Sequence, residues 1–327
     1  MCPSSLLRRA AALLVVVIGL AGLGGCSGSG EDDGAATTTD GVADSFAPVT
    51  IEHRFGETEI TTRPERIVTL DLQWTDVLLT LDAAPVGYLA DPAVDGDHPW
   101  QEDRLASSTR LTATTALPLE QIIDLRPDLI LVTYLAEDQA AYDDLARIAP
   151  TISTLSTSQV DTWQDIAGAA GQVLGEPEEA AQLVADVEAQ VEAVAGALPD
   201  LEGRDFTFAN YVPGDALYVL SDPEDGANVL FGDLGLVIAP AILDAEDDSP
   251  GRVKLSLEQT SLLDADLVMV LTNGADDIAG LDDLDAVQRG AFAVMDYAQA
   301  VALNTPTPLS LPYVLDQIRP VLEIAAT

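Results

Sequence analysis

The sequence predicts an α/β protein: two lobes with mainly parallel sheets, joined by a long α-helix. Three observations predict it. Short, continuous apolar runs alternate with helical stretches, the pattern of strands covered on both faces by helices. A helix–turn–strand pattern recurs 138 residues further on. Between the two copies lies a helical stripe of 23 residues.

The strands come first. Arg66–Leu70, Pro85–Leu89, Asp128–Thr133, Thr151–Thr154, Asp205–Tyr211 and Asp266–Thr272 are the β-like runs. The repeat is LEQIIDLRPDLILV at 119–132 and LEQTSLLDADLVMV at 257–270, with Leu, Glu, Gln, Leu, Asp, Leu and Val at equal offsets. Each copy predicts a helix of about two turns, a tight turn and a buried strand. Pro118 and Ser256 precede the helices, where a rigid turn or an N-cap is favoured. Two Rossmann-like lobes that each use this unit are the simplest account. In Glu176–Leu198, residues Leu183, Val187, Val191, Val194 and Leu198 recur at steps of three or four. Pro177 suits the first turn, and the glutamates beside it suit the positive end of the helix dipole. Such a connector permits small tilts of the lobes, not wide hinge closure.

The N-terminus reads as an address. Arg8 and Arg9 precede an apolar stretch, Ala10–Leu23, too short to span a bilayer comfortably. Leu23-Gly24-Gly25-Cys26 resembles the bacterial lipoprotein signal, in which Cys26 carries the lipid. Residues 1–25 are then the signal. Residues 26–47 are the acylated cysteine and a small, polar tether unable to bury enough surface to order itself. The expected lobes are 48–175 and 200–327, with the connecting helix at 176–199. Cys2 leaves with the signal, so no cysteine remains for a disulfide, a metal or a nucleophile.

Composition excludes several functions. Of 327 residues, 55 are acidic and 14 basic, a formal charge of -41. Phosphate-directed nucleic-acid binding needs Lys and Arg, and so does adsorption to anionic lipid. No Gly-x-Ser-x-Gly elbow and no Gly-rich phosphate loop occur, so no catalytic residue and no cofactor are assigned. His53 and His98 are the two histidines; a protein metal site would ordinarily show more.

Four stretches carry a family resemblance. FGETEITTRPERIVTLDLQWTDVLLTLDAAPVGYL (55–89), LPLEQIIDLRPDLILVT (117–133), LSLEQTSLLDADLVMVL (255–271) and LSLPYVLDQIRPVL (309–322) resemble, in order and spacing, the helical-backbone (class III) periplasmic substrate-binding proteins, especially actinobacterial iron–siderophore lipoproteins. One departure stands out. The family's Ser-x-x-x-Thr-Glu after the first strand reads Asp71-Leu72-Gln73-Trp74-Thr75-Asp76 here.

The resemblance implies a monomeric carrier that is not an enzyme, anchored by lipid on the outer face of the cell membrane. It would take a ferric siderophore or similar chelate to an ABC permease dimer driven by a cytoplasmic ATPase. Haem or cobalamin binding, and a non-transporting adhesion or sensor module, are the alternatives. The resemblance further implies that Glu120 and Glu258, equivalent in the two copies, dock onto permease arginines; a glutamate in a helix's first turn also stabilises the dipole without a partner. A ligand cleft belongs between the lobes, at the carboxyl ends of the strands. Trp74, Tyr88, Trp100, Tyr134 and Tyr211 follow or end strands and would suit a bulky chelate, although packing alone also places aromatics there. Arg252, with Arg104 and Arg110 as alternatives, would answer an anionic chelate, or pair with nearby aspartates.

Overall fold

The computed structural model describes residues 46–113, 116–156, 161–245, 251–275 and 278–327. The expected signal (1–25), Cys26 and all but the last two residues of the expected tether (26–47) lie outside them, as does the Glu246–Asp248 acidic run.

Strands β1 (Val49–His53) and β2 (Gly56–Ile60) form an antiparallel hairpin. It seats Ile51 and Ile60 in the first core, where Phe46 also packs. A five-stranded sheet follows, built from β3 (Ile67–Thr69), β4 (Gly87–Leu89), β5 (Thr109–Leu111), β6 (Leu129–Leu131) and β7 (Thr151–Ile152). Its order is β5-β4-β3-β6-β7 and every pairing is parallel. This is the doubly wound order, with its switch point between β3 and β6. Strands β3 and β6 are buried on both faces, because helices α1 (Leu72–Thr80), α2 (Leu119–Leu125), α3 (Gln139–Ala146) and α4 (Trp163–Leu174) flank the sheet. Asp71, Asp138 and Thr162 start α1, α3 and α4 by accepting a hydrogen bond from a first-turn amide.

Helix α5 (Pro177–Ala197) follows the expected stripe, with Pro177 in its first turn. At ~1.5 Å per residue it is about 32 Å long. Val187 and Val191 enter the core of the second lobe, and Val184 touches the cores of both. Helix α4 crosses α5 at Gly171. A Cβ there would lie 2.5 Å from Ala180 Cβ and 3.0 Å from Glu176 O. Gly171→Ala should therefore cost about 1–3 kcal/mol, read as a lower urea midpoint. An unchanged midpoint would mean that this crossing tolerates separation.

The second lobe contains β8 (Asp205–Val212), β9 (Ala216–Leu220), α6 (Gly226–Asp233), β10 (Val237–Ile238), α7 (Pro240–Asp244), β11 (Arg252–Leu255), a 3-10 helix (Leu257–Leu263), β12 (Leu267–Leu271), α8 (Asp285–Arg289), β13 (Phe292–Met295), α9 (Tyr297–Asn304) and α10 (Ser310–Ala325). Here the sheet is mixed, with more parallel than antiparallel pairings. Strands β10, β8, β12 and β13 pair in parallel, but β8–β9 and β9–β11 are antiparallel. Gly214, at φ 82, closes the β8–β9 turn directly, so no helix intervenes.

The repeat is visible as structure. In both copies a helical turn leads to a central strand, and its aspartate binds the start of the neighbouring strand. Asp128 accepts from the amides of Glu65 and Arg66, and Asp266 from the amide of Asp205 and from Arg204. The two glutamines also bond the backbone: Gln121 to Thr112 and Gln259 to Ser256. The helices differ in type. The first is an α-helix ended by left-handed Arg126 before Pro127, whereas the second is 3-10 with a capping box.

Candidate functional site

The loops after β3, β4 and β6 meet helix α9 of the second lobe around a cavity of about 290 Å³. This is the carboxyl-end crevice at the switch point. Asp71, Tyr88, Asp91, Asp97, His98 and Tyr134 come from the first lobe, and Tyr297, Val301 and Thr305 from the second. Tyr297 hydroxyl bridges the lobes by donating to Asp91 Oδ2 at 3.0 Å. Tyr88 hydroxyl donates to Asp97. Thr133 hydroxyl donates to Asp71 Oδ2 at 3.0 Å.

Electrostatics fix the protonation of these groups. Burial first, and then neighbouring carboxylates, push the hydroxyls of Tyr88, Tyr134 and Tyr297 up to about 12. They remain donors at neutral pH. Burial lowers His98 below its ordinary value, which keeps the ring neutral. Burial also raises Asp71 to about 6, against the pull of its hydrogen bonds from Trp74 and Thr133.

Behind the cleft the lobes are pinned. Asp76 is wholly buried and accepts from Trp100 Nε1, Gln101 Nε2 and Thr307 hydroxyl, each at 2.7 Å. Thr307 belongs to the α9–α10 connection of the second lobe. Gln73 Nε2 also donates to that connection, at Pro306 O, 3.3 Å away. A larger cavity of about 430 Å³ also borders the connection, at Asn304 and Pro306, and is lined by Trp163, Glu188, Glu192, Glu224, Asp233 and Leu230 among others.

Of the aromatics expected at the cleft, Tyr88 and Tyr134 line it. Tyr134 is 48% exposed. The other three do not. Helix α1 starts at Leu72, so Trp74 sits in its first turn and is enclosed in the first lobe's core with Val77 and Leu78. Trp100 is 7% exposed, stacked on His98 at 4.5 Å and tied to Asp76, within the second lobe's core cluster. Strand β8 runs on to Val212, so Tyr211 lies inside it. It shares the face of Ala209, on the core opposite Phe206 and Phe208. Arg252 pairs with Asp225 at 2.8 Å, away from the cleft. Arg104 and Arg110 reach carbonyls of Leu79 and Val94.

Tyr297 was not foreseen. It lies two residues past β13, a strand absent from the expected set; had Phe292–Met295 been recognised, the carboxyl-end rule would have pointed to it. Asp71 and Asp76 were visible only as departures from the Ser-x-x-x-Thr-Glu pattern.

Glu120 and Glu258 are exposed, each in the first turn of its helical segment. Among the described residues neither has a hydrogen-bond or ion-pair partner, in contrast to the aspartates and glutamines of the same repeat.

Comparison with known proteins places these features in context. Residues 67–293 match the family model described as periplasmic binding protein. The chain is 25% identical over 178 residues to the probable siderophore-binding lipoprotein YfiY of Bacillus subtilis, a match covering 54% of either sequence. It thus spans about half the length of that relative. A periplasmic solute binding protein from Mycobacterium smegmatis superposes with a TM-score of 0.71 at 25% identity, covering 86% of this chain and 99% of that one. Streptococcus pneumoniae PiaA in complex with ferrichrome gives 0.67 at 25% identity, covering 85% and 98%.

Proposed function

The chain belongs to the periplasmic binding protein family, and from that premise we propose that it captures a ferric siderophore between its lobes and delivers it to an ABC permease. The observation that carries this is the tyrosine- and carboxylate-lined cavity at the carboxyl ends of β3, β4 and β6, completed by α9. The names of similar proteins, a siderophore-binding lipoprotein and a ferrichrome complex, support the same cargo. Anchorage through Cys26 would hold the carrier near its permease and raise its effective concentration.

Capture would involve little lobe movement. The bridge from Asp76 to Thr307 is buried and has partners on both sides, so opening it would strand buried donors. The lobes act as a preset clamp, and the cost of ordering on binding stays small.

Docking would fall to Glu120 and Glu258. Each projects from the same unit of its own lobe, and a pair of equivalent carboxylates suits a two-fold partner that presents arginines.

Titration with ferric chelates tests the reading. Tyr134→Ala removes an exposed cleft ring and should weaken chelate affinity about tenfold or more. Trp74→Phe, in the core, should change it less than about twofold. If Trp74→Phe weakened binding and Tyr134→Ala did not, the cargo would sit elsewhere.

A further inference from the structure

Among the described residues, no lysine or arginine lines the cleft. Its charged lining residues are Asp71, Asp91 and Asp97, and among the described residues neither it nor the larger flanking cavity is lined by a lysine or arginine. The flanking cavity adds Asp161, Glu188, Glu192, Glu224 and Asp233.

The three cleft carboxylates are held by neutral donors. Asp71 accepts from the Trp74 amide and the Thr133 hydroxyl. Asp91 accepts from the Ala93 amide and the Tyr297 hydroxyl, with His98 Nε2 at 3.6 Å. Asp97 accepts from the Tyr88 hydroxyl. A neutral donor fixes a carboxylate without cancelling its charge, and burial keeps His98 uncharged. The arginines that sequence position made candidates are engaged elsewhere. Arg252 is on Asp225, and Arg110 is felt at Tyr88 but donates to Val94 O from outside the lining.

A second observation is independent of charge. Gln73, 3% exposed and lining both cavities, has a buried Oε1 without a hydrogen-bond partner. An amide oxygen can only accept, so it calls for a donor. His98, 5% exposed, likewise leaves Nδ1 unpartnered beside the cleft.

We infer that the cleft selects a ferric chelate of net positive charge, one carrying a protonated amine, over neutral and anionic chelates. The inference rests on the proposed function and names its substrate class. An ammonium group would bring both the missing positive charge and N–H donors to the three aspartates. A trianionic catecholate complex would meet like charge in a partly desolvated site, where repulsion is screened least. The surplus of acids over bases in the whole chain acts in the same sense at long range.

The test uses one iron centre in two charge states. The full chain is titrated with ferrioxamine B, a monocationic trihydroxamate, and with its N-acetylated form, which is neutral. Ferric enterobactin, a trianion, is the third probe. Ferrioxamine B should bind at least about tenfold more tightly than the acetylated form, about 1.4 kcal/mol, and the trianion most weakly. The Asp91→Asn, Asp97→Asn double variant should shrink the acetylation effect to within about threefold. Should that variant fail to fold, the wild type decides. Between about 0.05 and 0.5 M NaCl, affinity for ferrioxamine B should fall while that for the acetylated form holds. Equal affinity for the two forms, or preference for the trianion, overturns the charge inference and leaves chelate capture standing. No binding of any ferric chelate removes both.

Discussion

Replacing Glu120 and Glu258 together by alanine is expected to reduce iron–chelate uptake by about a hundredfold or more, with chelate affinity unchanged within about twofold. Both side chains are exposed and neither lines the cleft. Loss of an exposed carboxylate costs the fold about 0.3–1 kcal/mol through the dipole of a first turn. Loss of a carboxylate from a desolvated arginine pocket costs about 2–5 kcal/mol at each site. The second effect exceeds the first severalfold, so transport and folding separate cleanly. Uptake in cells carrying the variant as sole carrier, normalised to chelate bound, is the measurement. Wild-type uptake per bound chelate would remove the docking role.

The other large effect is at Asp76. Asp76→Ala should destabilise the chain by about 3 kcal/mol. It strands Trp100 Nε1, Gln101 Nε2 and Thr307 hydroxyl, three buried donors from two lobes, at about 1–3 kcal/mol each. Part of that is offset, because the buried carboxylate is itself costly: burial outweighs the same three hydrogen bonds and lifts its pKa to about 6. Asp76→Asn should cost less. It keeps one acceptor, although its amide must face a donor, and Gln101 cannot turn over without losing the bond that its Oε1 accepts from the His98 amide.

The raised pKa also sets the sign of a pH dependence. An unfolded aspartate titrates near 3.9, so between about pH 4 and 6 the folded chain holds the extra proton. The Asp76 contribution is complete below about pH 4 and is lost as pH rises through 6. Wild type should therefore exceed Asp76→Ala by more at pH 4.5 than at pH 7.5 in urea-derived stability. Parallel curves would mean that Asp76 is ionised throughout.

Much of this was legible in the chain, for identifiable reasons. The first lobe's central strands are unbroken apolar runs and were readable as such. Helix α5 announced itself through Pro177 and a stripe of valines, and the repeat located β6 and β12. Strand β11 was missed because Arg252 and Lys254 alternate with its apolar residues, and β9 and β13 because apolar runs of four or five residues are not separated from helix by periodicity alone. Trp74 follows the first strand as expected, but it lies in the first turn of α1. Its indole then packs inward with Val77 and Leu78, three and four residues on. Tyr211 was read as ending its strand, but β8 runs one residue further and the ring packs with Ala209. The Asp76 bridge could not be read at all, since it joins residues 231 positions apart. That no lysine or arginine among the described residues lines the cleft was equally hidden. Arg252 is near in sequence to the second-lobe signature, but its guanidinium is taken by Asp225.

The most direct test of the account is the position of iron. In crystals grown with ferrioxamine B, the anomalous signal of the metal should lie in the cleft, within ligand reach of Tyr88, Tyr134 and Tyr297, with the chelate's ammonium toward Asp91 and Asp97. An iron peak in the flanking cavity beside Trp163, or on the outer surface of either lobe, would contradict it.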